Sequence, residues 1–309
     1  MSIKKLVKVI LLAPATIVLV VLRLLKPILA IELMIVAFHR FGHLALEPEV
    51  MLCRIDRTTK NLTSVGCFPK TVRLWSFGPA KSQSNRFLAG KWKEVLAVPP
   101  SWCIDALIRT GEKFPRLQLV APILSVHGPA NALDHSPPHL TFSDEERRSG
   151  RAGLEQLGLD SSQPFVCLIV RDGGHYKSLG EIESPNMEMF NFDIDDFEMA
   201  AAALVARGYQ VVRMGAGAEK PLSKQIVGVF DYSLSNHRSE FLDIYFAASC
   251  EFALSTQTGP DETILNKFSA RRRVTSIGVL VLPCRFGING SQTISISGRN
   301  GKCPRSWKE

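Results

Sequence analysis

A histidine followed four residues later by a glutamate is the first candidate for chemistry in this chain. His43 and Glu47 lie in the segment RFGHLALEPE, residues 40–49. If the segment is helical, side chains four positions apart face each other, which would place Glu47 within reach of His43. Histidine titrates near neutral pH and can take a proton from a hydroxyl group. We predict His43 and Glu47 as catalytic residues, with His43 as the base, and Gly42, which allows a tight turn, as a substrate-binding residue; the alternative is a capped helix with a surface histidine.

Further polar candidates follow apolar runs in the second half of the chain. Arg171 and Asp172 come directly after the apolar run at residues 164–170, and two glycines follow them. An arginine at a strand end can hold a phosphate through its fork of donors, and a carboxylate there can accept a proton. Asp172 is therefore a second candidate base. For the arginines, an ordinary ion pair is the alternative. The substrate-binding candidates at these positions are Arg171, Arg213, Asp231, Arg238, Ser255 and Thr256.

The segment STQTGPD, residues 255–261, indicates a phosphate-binding turn. Hydroxyl groups and a glycine leave a strand here and lead into a helix, and the backbone N–H groups of a helix start favour anions. We therefore add Thr258, Gly259 and Asp261 to the substrate-binding candidates. Simple capping of the helix by Thr258 or Asp261 is the alternative.

Alternating strands and helices are predicted to position these residues. Strand patterns at residues 164–170, 209–214, 227–232 and 250–254 alternate with helix patterns at 195–207 and 239–249, which is typical of a parallel sheet with right-handed crossovers. Ligands bind such sheets at the carboxyl ends of the strands. We therefore predict an α/β fold with two Rossmann-like domains.

The first half is predicted with less detail. A serine cap followed three residues later by a glutamate, Ser143 and Glu146, predicts a helix that ends at Gly158. Strands are expected at residues 50–54, 72–77 and 117–120.

The N-terminal segment combines an apolar run with basic flanks. The run Val9–Leu22 is about 14 residues long, shorter than the roughly 20 that a membrane-spanning helix requires. Three interpretations remain: a membrane-surface anchor, a helix buried in the protein, and a cleaved signal peptide. We favour the anchor, which would hold the protein at the cytoplasmic face of the inner membrane. The basic flanks are Lys4, Lys5, Lys8, Arg23 and Lys26.

Charge and cysteine content argue against several classes of function. The net charge of +8 comes almost entirely from residues 262–309, which hold nine basic and two acidic side chains. A uniformly basic surface for nucleic acid is therefore not supported, and no nucleic-acid partner is expected. The seven cysteines include no CxxC pair. We predict neither a disulfide framework nor a metal site, and His135 and His139 show no metal-ligand spacing.

Several stretches together resemble a bacterial glycosyltransferase family associated with surface-polysaccharide gene clusters. The resemblance implies a two-domain transferase of the GT-B type that uses a nucleotide-sugar donor and no further cofactor, with a glycan or lipid-linked acceptor. It assigns no catalytic residues. The stretches are Arg40–Glu49, Pro164–Asp172, Gly208–Gly215, Asp231–Tyr232, Arg238–Tyr245 and Ser255–Asp261.

The predicted organisation has four parts. These are an apolar membrane-associating segment at 1–38, an acceptor-side α/β domain at 39–160, a Rossmann-like nucleotide-sugar domain at 161–262 and an atypical basic tail at 263–309. The resemblance ends at Asp261, and the tail is expected to be a truncated or frameshifted terminus that leaves the second domain incomplete. The expected function is metal-independent glycosyl transfer. The alternatives are another sugar-nucleotide enzyme such as an epimerase, or an inactive membrane-associated remnant or scaffold.

Overall fold

The computed structural model describes residues 3–62, 70–120, 137–180, 188, 191–256 and 273–276. The chain divides into two compact units. Unit 1 contains Met1–Arg147 and Ser239–Ser249, and unit 2 contains Arg148–Arg238, Cys250–Thr258 and the strand at 273–276. The predictions for Thr258, Gly259 and Asp261 lie outside the described residues, and of the predicted basic tail at 263–309 the structure describes the strand at 273–276.

Eight helices and seven strands are labelled here in chain order within the described residues. The helices are α1 (Ile3–Leu25), α2 (Phe41–Leu62), α3 (Arg86–Val95), α4 (Ser101–Gly111), α5 (Asp144–Gln156), α6 (Gly174–Leu179), α7 (Glu198–Val205) and α8 (Glu240–Ser249). The strands are β1 (Leu29–Ile35), β2 (Lys70–Ser76), β3 (Phe165–Ile169), β4 (Gln210–Met214), β5 (Val229–Asp231), β6 (Phe252–Ser255) and β7 (Arg273–Ser276).

Unit 1 is built on a parallel strand pair. β1 pairs with β2 in a register that runs from Leu29 opposite Lys70 to Ile35 opposite Ser76. One side of this pair is covered by α1 and α4. Their buried side chains form a common core with those of the strand pair and the chain that follows α4: Ala15, Leu19, Leu33, Ile104, Leu107, Ile108 and Leu119.

The apolar N-terminal segment thus contains both a helix and a strand of unit 1. Ala15 and Leu19 of α1 are buried, as the buried-helix interpretation expects. The opposite face of α1 is exposed, with Leu24 at 74% and Ile17 at 65% of their full accessibility. In the described part of the chain, no helix has both the length and the apolar character needed to cross a bilayer. Association with a membrane surface stays a prediction.

The strand expected at residues 50–54 is wrong, because these residues lie inside α2. Val50 and Cys53 are three positions apart and both buried, so they continue one face of the helix. A short apolar run has too few residues for its period to separate a strand from a buried helix. The predicted start of α5 is confirmed: the Ser143 hydroxyl accepts from Glu146 N at 3.1 Å, and the Glu146 carboxylate accepts from Ser143 N at 2.6 Å.

The late helix α8 packs on α3 within unit 1. The Asn85 side chain donates to Glu240 O at 2.9 Å, and the Glu240 carboxylate accepts from Arg86 N at 2.6 Å. The rings of Phe87 and Phe241 meet edge to face, with centroids 5.0 Å apart.

Unit 2 contains a five-stranded parallel sheet in the order β5-β4-β3-β6-β7. Every residue of β3 is buried, as its continuous apolar sequence predicts. β4 and β5 extend the sheet on one side of β3, and β6 and β7 extend it on the other. The strand order therefore reverses between β3 and β6, and parallel sheets commonly bind ligands beyond the carboxyl ends of the strands at such a reversal. The α/β class with parallel sheets is confirmed, whereas the GT-B domain arrangement stays a prediction.

Candidate functional site

The first turn of α2 holds the predicted histidine–glutamate pair. His43 Nδ1 lies 2.7 Å from Glu47 Oε1, so the helical spacing expected from the sequence is confirmed. The second carboxylate oxygen of Glu47 accepts from Ala37 N at 3.1 Å. Ala37 follows the carboxyl end of β1, and this bond fixes the Glu47 carboxylate to the strand end. The His43 side chain is 35% exposed and that of Glu47 is 9% exposed, so the histidine faces solvent while its partner is largely enclosed.

The surrounding loops hold this turn in place. Trp92 of α3 donates its indole N–H to Leu44 O at 2.9 Å, which ties the start of α2 to α3. Phe38 O accepts from both the backbone N–H and the hydroxyl of Ser84. Gly78 has a positive φ of 58°, and a Cβ there would meet the Phe38 ring. Gly42 is the second residue of α2, so the tight turn predicted at this glycine is wrong: the chain is already helical there.

The strands β3 and β6 of unit 2 are paired in parallel and end side by side. Arg171 N donates to the Thr256 hydroxyl at 2.8 Å, and Thr256 N donates to Ile169 O at 3.1 Å. Ser255 and Thr256 are both buried. The Arg171 guanidinium carbon lies 5.7 Å from the centre of the Tyr176 ring, a cation–π contact. The structure thus brings Arg171, Ser255 and Thr256 together at the point where ligands bind such sheets.

Arg213 forms ion pairs, which the sequence analysis gave as the alternative to phosphate binding. Its side chain is 1% exposed, and its guanidinium lies 2.8 Å from Asp231 and 3.6 Å from Asp172. It also donates to Lys220 O at 2.6 Å. Asp172 further accepts from Gly174 N and Glu219 N, both at 3.1 Å. The guanidinium of Arg213 and the carboxylates of Asp172 and Asp231 therefore compensate one another's charges. This arrangement favours a role for Arg213 in positioning these residues over direct contact with a phosphate.

Gly174, the second of the two glycines after β3, allows a neighbouring loop to pack closely against the backbone. Gly174 is buried, and a Cβ there would meet Gly217 O and Glu219 N of the loop that follows β4. At Gly174 the loop after β4 therefore occupies the space in which a ligand could otherwise approach the backbone. Arg238, the remaining described candidate, is exposed. It precedes Ser239, whose hydroxyl accepts from Leu242 N at 3.1 Å at the start of α8.

One cluster of reactive side chains was missed by the sequence analysis. Glu49, Cys53 and Asp56 lie on one face of α2, and His139 approaches them from the segment before α5. His139 Nδ1 is 3.1 Å from Glu49 Oε1, and its Nε2 is 3.1 Å from Asp56 Oδ2. Hydrogen bonds with Cys53 and Glu49 raise the pKa of His139 to about 10, although burial acts to lower it. In the sequence, Glu49, Cys53 and Asp56 recur at helical spacing, which weakly indicates a shared helix face. Nothing in the sequence indicates that His139 lies beside them.

The chain was compared with family models, curated proteins and solved structures. No family model and no curated protein matches the chain. The chain is similar to the solved structure of ADP-heptose LPS heptosyltransferase II from E. coli, with 12% identity and a TM-score of 0.45 over 79% of this chain and 90% of that one. It is also similar to a glycosyl transferase family 9 structure from Veillonella parvula, with 12% identity and a TM-score of 0.31 over 72% of this chain and 66% of that one.

Proposed function

We propose that this chain is a glycosyltransferase that moves a sugar from a nucleotide-sugar donor to a hydroxyl group of a glycan or lipid-linked acceptor. The observation that carries the proposal is the His43–Glu47 pair at the carboxyl end of β1, with Nδ1 and Oε1 2.7 Å apart. The resemblance of the surrounding segment, residues 40–49, to a glycosyltransferase family supports the same reaction class.

The pair has the geometry of a base and its orienting carboxylate. An Nδ1–H that donates to Glu47 leaves the lone pair of Nε2 available to a substrate. This nitrogen takes the proton as the acceptor oxygen bonds to the anomeric carbon of the donor sugar. The bond from that carbon to the diphosphate breaks, and the diphosphate leaves with the electron pair. Glu47, held by Ala37 N, then stabilises the imidazolium.

We assign the donor diphosphate to the carboxyl ends of β3 and β6 in unit 2. Parallel sheets bind nucleotides where the strand order reverses, and here that point lies between β3 and β6. Arg171 supplies positive charge at this position, and positive charge stabilises the leaving diphosphate. The predicted turn at Thr258 and Gly259 directly follows β6 in the sequence and completes the proposed binding segment. Asp172 is a poorer base than His43, because both of its oxygens already accept hydrogen bonds or face Arg213.

We further propose that the protein works at a membrane surface through the outer face of α1. Ile17, Val20 and Leu24 recur at helical spacing on this face and are exposed. Val20 also borders a groove of 360 Å³ that is lined by the segment at residues 113–117, which contains Phe114 between basic side chains. An apolar helix face with basic neighbours is typical of helices that lie in the headgroup region of a bilayer.

The test of the reaction is release of nucleoside diphosphate from a panel of nucleotide sugars, with and without glycan acceptors. We expect the His43→Ala variant to lose about 100-fold or more of the turnover rate, because a positioned base contributes about 10²–10⁴-fold. The Glu47→Gln variant should show a similar loss. An amide donating to Nδ1 would place the imidazole proton on Nε2, where a base needs its lone pair.

The matched control is His39→Ala, which removes an exposed histidine of the same loop that makes no contact with Glu47. Its turnover should equal that of the wild type. Nucleotide binding should be unchanged in all three variants. Failure of the wild-type protein to bind any nucleotide or nucleotide sugar would overturn the proposal. Conversion of the donor into an isomeric nucleotide sugar, without release of diphosphate, would identify an epimerase instead.

A further inference from the structure

The cluster on α2 combines three chemically different ligand groups in one small space. Glu49, Cys53 and His139 each bring one carboxylate oxygen, thiol sulfur or ring nitrogen to within 4.8 Å of the others. Glu49 and Cys53 are one helical turn apart, and His139 lies far away in the sequence, in the segment that leads into α5. All of them belong to unit 1.

The burial of Glu49 is the second feature of this cluster that favours a bound cation. The residue is 0% exposed. Its Oε1 faces His139 Nδ1 at 3.1 Å and Cys53 Sγ at 3.8 Å, but its Oε2 is buried without a hydrogen-bond partner among the described residues. A buried carboxylate is costly unless each oxygen is paired or coordinates a metal. A cation placed between the three ligand atoms would satisfy this demand.

The ligand types select the cation. Thiolate and imidazole together are preferred by Zn²⁺, whereas Mg²⁺ and Ca²⁺ prefer sets of oxygens. The three ligand atoms lie within 4.8 Å of one another, and zinc bonds of about 2.0–2.3 Å require them to lie somewhat closer. A small inward movement of the three side chains is therefore enough to bind the ion. The second Glu49 oxygen or a water molecule would take the fourth position.

Asp56 supplies the outer contact that zinc-bound histidines need. Its Oδ2 lies 3.1 Å from His139 Nε2, on the side of the ring opposite the other ligands. A carboxylate in this position fixes the ring orientation and makes the coordinating nitrogen more basic. We propose that Glu49, Cys53 and His139 bind one Zn²⁺ ion, and that Asp56 orients His139 by accepting a hydrogen bond from Nε2.

The site has a structural consequence that is separate from glycosyl transfer. The ion joins α2 to the segment before α5 and closes a long stretch of chain between them. A metal bridge of this kind stabilises the folded state by restricting the unfolded chain. His43 lies nearly three helical turns before Cys53, so we assign the ion no part in the proton transfer.

The experiment measures zinc on the full-length protein. After removal of metal with a chelator, the protein is titrated with Zn²⁺ against a chromogenic chelator and separately with Co²⁺. We expect one ion per chain, a thiolate-to-cobalt absorption band and a higher melting temperature with Zn²⁺ than without it. The Cys53→Ala and His139→Gln variants should lose the tight site and the zinc-dependent rise in melting temperature. The Asp56→Asn variant should keep one ion with affinity reduced about 10–100-fold.

Cys103→Ala is the matched control, since it removes a free, partly buried cysteine of the same unit. It should retain the stoichiometry and the cobalt band of the wild type. Circular dichroism confirms that each variant is folded, and Asp56→Asn provides a test at a partly exposed position if a core variant fails to fold. Absence of tight zinc binding by the wild type, or equal binding by the Cys53 and Cys103 variants, would overturn the site. In either case the cluster is an ion-pair network around a protonated His139.

Discussion

Arg213 carries its charge in an almost fully buried position of unit 2. Its guanidinium faces the carboxylates of Asp172 and Asp231, and one N–H group donates to Lys220 O. A buried cation is tolerated when carboxylates compensate it, and its removal leaves those carboxylates without a compensating cation. Arg213 therefore positions the loops after β3, β4 and β5 at the carboxyl edge of the sheet.

We expect the Arg213→Met variant to lose about 3–5 kcal/mol of stability, because two carboxylates would remain without their buried cation. Denaturant unfolding measures this loss. The control variant Arg207→Ala removes an exposed arginine that donates only within its own helix region, to Ala203 O. It should change stability by less than about 0.5 kcal/mol. If Arg213→Met is as stable as the wild type but binds nucleoside diphosphate more weakly, Arg213 is a phosphate ligand after all.

Candidate residues were predictable where the contact is local in sequence. His43 and Glu47 are four positions apart, so helical geometry alone brings them together. The role of Arg213 was not predictable, since burial and partners on other loops decide between a phosphate ligand and an ion pair. The Glu49–His139 contact was also hidden, because it depends on how distant segments pack.

At the scale of elements, the loop after β4 packs closely on the start of α6. The backbone at Gly217 and Glu219 occupies the space that a side chain at Gly174 would need. Glu219 N also donates to Asp172, so this loop contacts both the glycine and the carboxylate that precedes it. This contact holds in place the loop after β3, which belongs to the proposed donor site.

A methyl group at Gly174 should therefore destabilise unit 2. We expect Gly174→Ala to cost about 1–3 kcal/mol, because backbone atoms must move to admit the Cβ. The matched variant is Gly90→Ala, at an exposed position in α3 where a Cβ meets no atom within 4 Å. It should stabilise the protein by about 0.5–1 kcal/mol through the higher helix propensity of alanine. Equal effects of the two substitutions in thermal unfolding would contradict this account of the loop.

The elements of unit 2 were more predictable than those of unit 1. A parallel strand covered on both faces is a continuous apolar run, and the glycines that end its helices are clear signals; Gly208, with φ of 85°, is one. In unit 1, Pro27 marks the break between α1 and β1, but the two apolar runs on either side of it were interpreted as one membrane-associating region. A short apolar run does not by itself separate a buried strand from a further part of an apolar helix, so the packing of unit 1 was needed to identify β1.

At the scale of the whole molecule, α1 has two faces with different environments. Leu19 is fully buried in the core of unit 1, whereas Leu24 and Ile17 on the other face are largely exposed. Exposed apolar side chains at helical spacing lower the free energy of a protein at a bilayer surface. Arg23 and Lys26, at the end of the helix, add attraction to anionic headgroups.

Substitution of the exposed face should weaken binding to anionic vesicles. We expect the double variant Ile17→Glu, Leu24→Glu to sediment with phosphatidylglycerol vesicles at least about 10-fold less than the wild type, because two apolar contacts are replaced by negative charges. The control is Met199→Glu with Val227→Glu, which changes two exposed apolar residues of unit 2, 66% and 94% accessible. Equal sedimentation of the two double variants would exclude α1 as the membrane-binding face.

The placement of α8 in unit 1 has a consequence during translation. About a hundred residues, most of them belonging to unit 2, are synthesised between Arg147 and the end of α8. At ribosomal rates of about 5–20 residues per second, this interval lasts roughly 5–20 s. Throughout it, the surface of α3 that meets Phe241 is uncovered on the nascent chain, with Phe87 exposed. The nascent protein therefore offers a hydrophobic surface to chaperones until α8 emerges from the ribosome and packs on α3.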